Sequence, residues 1–144
     1  MLRGISPLLS PELLATLCRM GHGDSLVLAD AHFPGESVNS RTLRADGLLI
    51  PDLLDAILPL MVLDDFIGDP VKMMAPVEGD EADPGVAASY RQAVDRHAPG
   101  TPAFAMVERF AFYDLARSAF AVVMTGDTAK YGNIILSKGV TPSS

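Results

Sequence analysis

SLVLADA, residues 25–31, is a short, almost unbroken apolar run carrying a carboxylate near its end, and AFAVVM, residues 119–124, is a second such run far downstream. Runs of this length, bounded by turn formers, fit strands covered on both faces; a strand with one wet face alternates apolar and polar residues instead. Doubly covered strands need helices above and below the sheet, and the flanking sequence has the pattern for them. Ser10 precedes Pro11, which suits a first helical position, and Leu13, Leu14, Leu17 and Cys18 form one apolar stripe that Gly21 ends. Pro51 opens a second helix with Leu53, Leu54, Ile57 and Leu58 on its apolar face, and Pro59 closes it. Residues 86–98 read as a third helix and 112–118 as a fourth, with further strands at 42–45, 71–77, 103–109 and 133–136. This alternation predicts an α/β domain over residues 1–144, a mainly parallel or mixed sheet covered on both sides.

Composition narrows the function classes. The chain has 144 residues, enough for one hydrophobic core, and carries 11 basic against 18 acidic side chains, a net charge of −7. No Lys/Arg cluster interrupts that charge, so nucleic acid and anionic membranes are disfavoured and a small neutral ligand fits best. The single cysteine, Cys18, forbids an intrachain disulfide and points to a reducing compartment. No stretch approaches the ~20 apolar residues that span a bilayer, so a cytoplasmic protein is expected.

Several tempting motifs fail. Gly21-His22-Gly23 lacks the third glycine of a dinucleotide fingerprint, Leu26 standing in its place, and it joins helix to strand in the wrong order. His22, Asp24, Asp30 and His32 have no paired-cysteine or HExxH spacing, so no metal is expected and these read as unrelated loop residues. Cys18 lies on the apolar stripe and reads as a buried, inert thiol. Asp64-Asp65 reads as a solvated turn, because chain neighbours seldom face each other across a substrate. The acidic loop EGDEADPG, residues 78–85, is given no chemistry.

What remains are polar groups at element ends, where α/β proteins build their sites: His22, Asp30, Arg109 and the run Tyr131-Gly132-Asn133. Each also has a plainer reading. Asp30 suits a cap, Arg109 a surface pair with Glu108 or Asp114, Asn133 a turn, Tyr131 half-buried packing and His22 a solvated loop.

These residues also carry a resemblance. MGHGDSLVLADAHFP (20–34), ADGLLIPDLLDAILPLMVLDDF (45–66), ERFAFYDLARSAFAVVMTGD (108–127) and YGNIILSKGV (131–140) resemble the L-fucose mutarotase branch of the D-ribose pyranase and L-fucose mutarotase family. The HGD and LADAHFP pair near the amino end and the TGD and YGN pair near the carboxyl end occur together, in order. The resemblance implies a compact three-layer α/β/α domain, no cofactor, and a homo-oligomeric ring, often decameric, with sites near subunit contacts. It implies His22 as the proton donor and Asp30, Arg109, Tyr131, Gly132 and Asn133 as sugar-binding residues, and the arginine tilts the substrate toward L-fucose over D-ribose.

Those residue types suit the reaction. Anomer exchange opens the hemiacetal: a base takes the proton of the anomeric hydroxyl while an acid protonates the ring oxygen. Histidine, with an ordinary pKa near ~6.5, trades protons around neutrality, and placed acid–base groups contribute ~10²–10⁴-fold. Arg109 offers several donors, Asp30 accepts from hydroxyls or orients His22, and Asn133 both donates and accepts. Three other readings stay open: a ribose pyranase, a non-catalytic monosaccharide-binding protein, and an assembly protein whose ring is its function.

Overall fold

Residues 1–143 are described by the structure, a computed structural model. Its elements are α1 (Pro11–Arg19), β1 (Ser25–Ala29), α2 (Gly35–Val38), β2 (Thr42–Ala45), α3 (Ile50–Ile57), β3 (Val71–Met74), α4 (Pro84–His97), β4 (Ala105–Val107), α5 (Arg109–Ser118), β5 (Ala121–Thr125) and β6 (Ile134–Ser137). The strands form one six-stranded sheet in the order β2-β5-β1-β6-β3-β4. β1 pairs in parallel with β5, β5 with β2, and β3 with β4, while β6 runs antiparallel between β1 and β3. The expected mixed sheet is therefore present. All strands but β6 point the same way, so five carboxyl ends and the amino end of β6 share one edge.

The pleat sends alternate residues to opposite faces. Leu26 and Leu28 of β1, Val123 of β5 and Leu136 of β6 pack with α1, α3 and α4. Val27, Ala29, Val122 and Ile135 pack on the other side with Phe112 and Ala116 of α5, with Val38 of α2 and with Phe33 just ahead of it. Helices thus cover both faces of β1, whose last four residues are all buried, as its apolar run requires. Truncating one such residue, Leu28→Ala, costs about 2–5 kcal/mol in lost transfer and cavity energy.

Differences from the sequence expectation have local causes. α4 starts at Pro84 because the Asp83 carboxylate accepts the Gly85 N–H at 2.8 Å, and α5 starts at Arg109 because Glu108 accepts from Phe110 and Ala111 at 3.0 Å each; both are acidic N-caps. β3 ends at Met74, just short of Pro76, which has no N–H for a ladder. Cys18 is exposed, contrary to the buried thiol expected. In α1 the buried residues are Leu13 and Leu17, and at 3.6 residues per turn position 18 falls roughly 100° past position 17.

The TGD turn after β5 braces the edge where β1 ends. The Thr125 hydroxyl donates to the Ala29 carbonyl at 2.8 Å, and the Asp127 carbonyl accepts the Ala31 N–H at 2.7 Å. The N-cap of α3, Leu49, has no side-chain acceptor, and Asp127 supplies one from a distance, taking the Ile50 N–H at 3.1 Å. A Cβ on Gly126 would strike the Asp46 carbonyl oxygen, so the turn admits no side chain there. Among the described residues no helix is long and apolar enough to cross a membrane.

Candidate functional site

The shared edge gathers Asp30 from the end of β1, Asn133 and Tyr131 from the lead-in to β6, and Arg109 from the start of α5. They line one open cleft of about 240 Å³ together with His32, Tyr113 and the apolar Met74 and Val77. Pockets for drug-sized ligands run to roughly 300–1,000 Å³, so this one suits something smaller, with polar groups on one side and apolar wall on the other. A roomier groove of about 650 Å³ between α1 and the β2 edge, bordered by Arg19, Arg41 and Phe120, gathers no comparable set, so size does not choose the site.

Asp30 and Asn133 are both buried. The Asp30 N–H donates to Asn133 Oδ1 at 2.8 Å, and Asp30 Oδ1 accepts the His32 N–H at 2.9 Å, which ties the end of β1 to the start of β6. Burial pushes the Asp30 carboxyl above its ordinary value, with the His32 backbone N–H and Asn133 among the groups pulling the other way. Asp30 also lines the cleft.

Arg109 does not pair with Glu108 or Asp114: Glu108 caps α5, and Asp114 pairs with Arg117 at 2.7 Å. Among the described residues the side-chain hydrogen bond of Arg109 runs from Nε to the Tyr113 hydroxyl at 3.1 Å, one helical turn on. Its guanidinium also lies 5.5 Å from the Phe110 and Tyr113 ring centres. That bond and those aromatic faces hold Arg109 in the lining of the cleft.

Gly132 sits beneath the run as spacer: a Cβ there would come within 2.8 Å of the Ala129 carbonyl oxygen and 2.9 Å of the Tyr90 hydroxyl. Tyr90 is buried on α4 and donates to the Gly132 carbonyl at 2.8 Å. Burial first, and the negative charges of Asp127 and Asp30 after it, push its phenol well up, so it stays a neutral donor.

His22 lies elsewhere. It precedes β1, beside the carboxyl end of β6, where the Gly23 N–H donates to the Lys138 carbonyl at 2.9 Å. β1 separates it from Asp30, and five strand residues extend about 17 Å. An acid must sit within about 2.6–3.2 Å of the atom it protonates. One chain therefore does not bring its own His22 to its own cleft, and Asp30 does not orient it; Asp64 is its partner.

The histidine has a partner of its own. His22 Nε2 lies 3.2 Å from Asp64 Oδ1, and its ring stands 5.1 Å from Phe66, tilted 52°. Asp64 is buried, not the solvated turn expected, while the histidine side chain is 46% exposed. The Asp64 carboxyl is held below its ordinary value by the Phe66 N–H first and by His22 after it. An ionised carboxylate only accepts, so Nε2 carries the proton between them and Nδ1 is the atom left for exchange.

The four residues weighed as metal ligands do not gather, since His22 and Asp24 lie at one end of β1 and Asp30 and His32 at the other. Among the described residues no three His, Cys, Asp or Glu side chains are placed to hold an ion. Sequence reasoning passed over Tyr113 and Lys130 and set aside His32 and Asp64 as loop and turn residues. Tyr113 had a readable signal, four residues on from Arg109 in a helix. His32, two residues past Asp30, had one too; Asp64 had none, because its partner lies 42 positions away.

Comparison with known proteins gives a consistent picture. The RbsD / FucU transport protein family matches residues 3–141. The fucose mutarotase from Streptococcus pneumoniae, solved in complex with L-fucose, is 42% identical, with a TM-score of 0.93 over 98% of this chain and 100% of that one. FucU from Bifidobacterium longum is 40% identical, with a TM-score of 0.93 over 97% of this chain and 100% of that one. RbsD from Bacillus subtilis, solved with D-ribose, shares the fold at 22% identity and a TM-score of 0.73, over 99% of this chain and 100% of that one.

Proposed function

The chain belongs to the RbsD / FucU transport protein family, and from that membership we propose that it is an isomerase exchanging the α and β anomers of free L-fucose. The observation that carries this reading is the cleft, where Asp30, Arg109, Tyr131 and Asn133 converge. A neutral polyol asks for this mixture: a carboxylate and an amide to take and give hydroxyl hydrogen bonds, a guanidinium, and an apolar wall for the C–H face. The opened-chain sugar is the shared intermediate, so one pair of proton transfers serves both directions.

His22 supplies the acid at the ring oxygen, with the Asp64 carboxylate orienting it and offsetting the imidazolium charge. It does so in the cleft of a second copy. Donor and cleft lie on opposite edges of the sheet, which suits a head-to-tail contact between copies, the kind that closes into rings. A homo-oligomeric ring is part of this reading, and the decamer that the resemblance implies is one closure of it. The whole chain acts as one sugar-exchanging domain. A cytoplasmic location belongs to the same reading, since the exposed, free thiol of Cys18 suits a reducing compartment.

The separation of His22 from the cleft favours a second reading, a protein that binds a monosaccharide without speeding its exchange. Exchange NMR on equilibrated L-fucose, with and without protein and then with D-ribose, decides between them. Faster fucose anomer exchange supports the isomerase, and broadened sugar signals without faster exchange support the binder. Mixing inactive His22→Asn and Arg109→Ala proteins then tests the shared site: activity returns after dissociation and reassembly if each site draws on two copies, and stays absent if it does not.

A further inference from the structure

The acidic loop ahead of α4, given no chemistry from its sequence, reaches the cleft. Asp80 Oδ2 accepts the Tyr131 hydroxyl proton at 2.6 Å, and its carboxylate also takes Lys130 Nζ, at 2.8 Å on Oδ1. The Val77 N–H points at the same hydroxyl from 3.4 Å. We propose that Asp80 is a positioning residue of the sugar cleft: it latches the Tyr131 hydroxyl, setting the ring as a wall and leaving the oxygen to face the sugar only as an acceptor. The proposal rests on reading the cleft as a sugar site.

Two further observations bear on it. Tyr131 is the one residue other than glycine with positive φ, 57°, among those described. A β-carbon in that region crowds the backbone, so the conformation persists only where other contacts hold it, and the latch is such a contact. The Lys130 ammonium, then the Tyr131 hydroxyl and the Glu81 N–H, hold Asp80 at a pKa of about 2. It is ionised throughout the neutral range and can only accept. The single phenolic proton of Tyr131 is committed to it, and one lone pair is committed to Val77. What remains toward the cleft is one lone pair, suited to a sugar hydroxyl donor and unsuited to protonating a ring oxygen. Tyr131 is thereby excluded as the acid while the latch is closed.

The test is a cycle of Asp80→Asn, Tyr131→Phe and the double variant, reading kcat, KM and the thermal midpoint, with the ¹³Cζ shift of Tyr131 as a signal independent of activity. Asp80→Asn is expected to lower kcat/KM for L-fucose about 10-fold, mostly through KM, with little change in midpoint. In the Tyr131→Phe background the same change should have almost no further effect. The Tyr131 ¹³Cζ signal should move in Asp80→Asn. An unmoved signal overturns the latch whether or not the protein exchanges fucose. Equal losses in both backgrounds would mean that Asp80 acts apart from Tyr131. A wild-type protein that leaves fucose exchange unchanged would count against the function, and the ring signal would still decide the latch.

Discussion

The two edges of the sheet are built on different plans. The carboxyl edge collects many weak groups from β1, α5 and the lead-in to β6, and ties them together: Asn133 to Asp30, Tyr113 to Arg109, Tyr90 to Gly132. The amino edge sets His22 against Asp64, with the histidine half open to solvent. On the proposed function, the first is a surface for recognition, where several modest contacts sum. The second is then a proton source, where one group decides. With the two separated by the length of a strand, that reading makes a lone chain a binder with its acid facing outward.

The sharpest break in that comparison is His22→Asn. Exchange should fall by roughly 10²–10⁴-fold, the usual contribution of a placed acid–base group, while the thermal midpoint and fucose affinity stay near wild type. Activity by exchange NMR and affinity by calorimetry check it. A loss of binding in place of rate would move His22 from the second plan to the first.

Asp30→Asn should cost nearly as much activity but through binding, and its effect on stability should run the other way. Burial raises the Asp30 pKa in the fold, so the fold holds that proton more tightly than the unfolded chain does. Its contribution is present below the ordinary carboxyl value and is withdrawn as pH rises through the folded one. Asparagine never ionises, so at pH 7 the variant should melt no lower than wild type, which scanning calorimetry checks. A large drop would mean that the carboxylate holds the fold as well as the sugar.

Asp64→Asn comes next, with a loss of about 10–100-fold in exchange, as expected when a partner that fixes a functional histidine is weakened. Asp64 is easier to ionise in the fold than in the unfolded chain. Its stabilising part is therefore present above the ordinary carboxyl range and lost as pH falls below it. The wild type should lose stability in acid more steeply than the variant.

How much of this was written in the chain depends on the range of each contact. SLVLADA and AFAVVM disclosed buried strands because their signal is local, and Ser10 and Pro11 marked the start of α1 for the same reason. Arg109, Tyr131 and Asn133 were legible as element ends, and their role came from the resemblance. Asp64 and Asp80 were not legible, because each owes its place to a partner 42 or 51 residues away. An acidic stretch looks solvated until the fold sets a tyrosine against it. Cys18 failed for a narrower reason, since a stripe drawn from adjacent residues 17 and 18 is wider than the face that α1 buries.

The smallest effect belongs to Tyr90→Phe, and it asks whether recognition at the carboxyl edge depends on how stiffly its loop is held. The variant keeps the buried ring and deletes only the hydroxyl that meets the Gly132 carbonyl. One neutral hydrogen bond is worth about 0.5–1.5 kcal/mol, and an acceptor left without its partner adds to that cost. The carbonyl belongs to the residue between Tyr131 and Asn133, so any slackening passes to both proposed sugar contacts. Denaturant unfolding should show a loss near 1 kcal/mol, and KM for fucose should rise about two- to threefold with kcat unchanged. If kcat fell as well, the loop would be setting the orientation of the sugar toward the incoming His22, and the two edges would be coupled through Gly132.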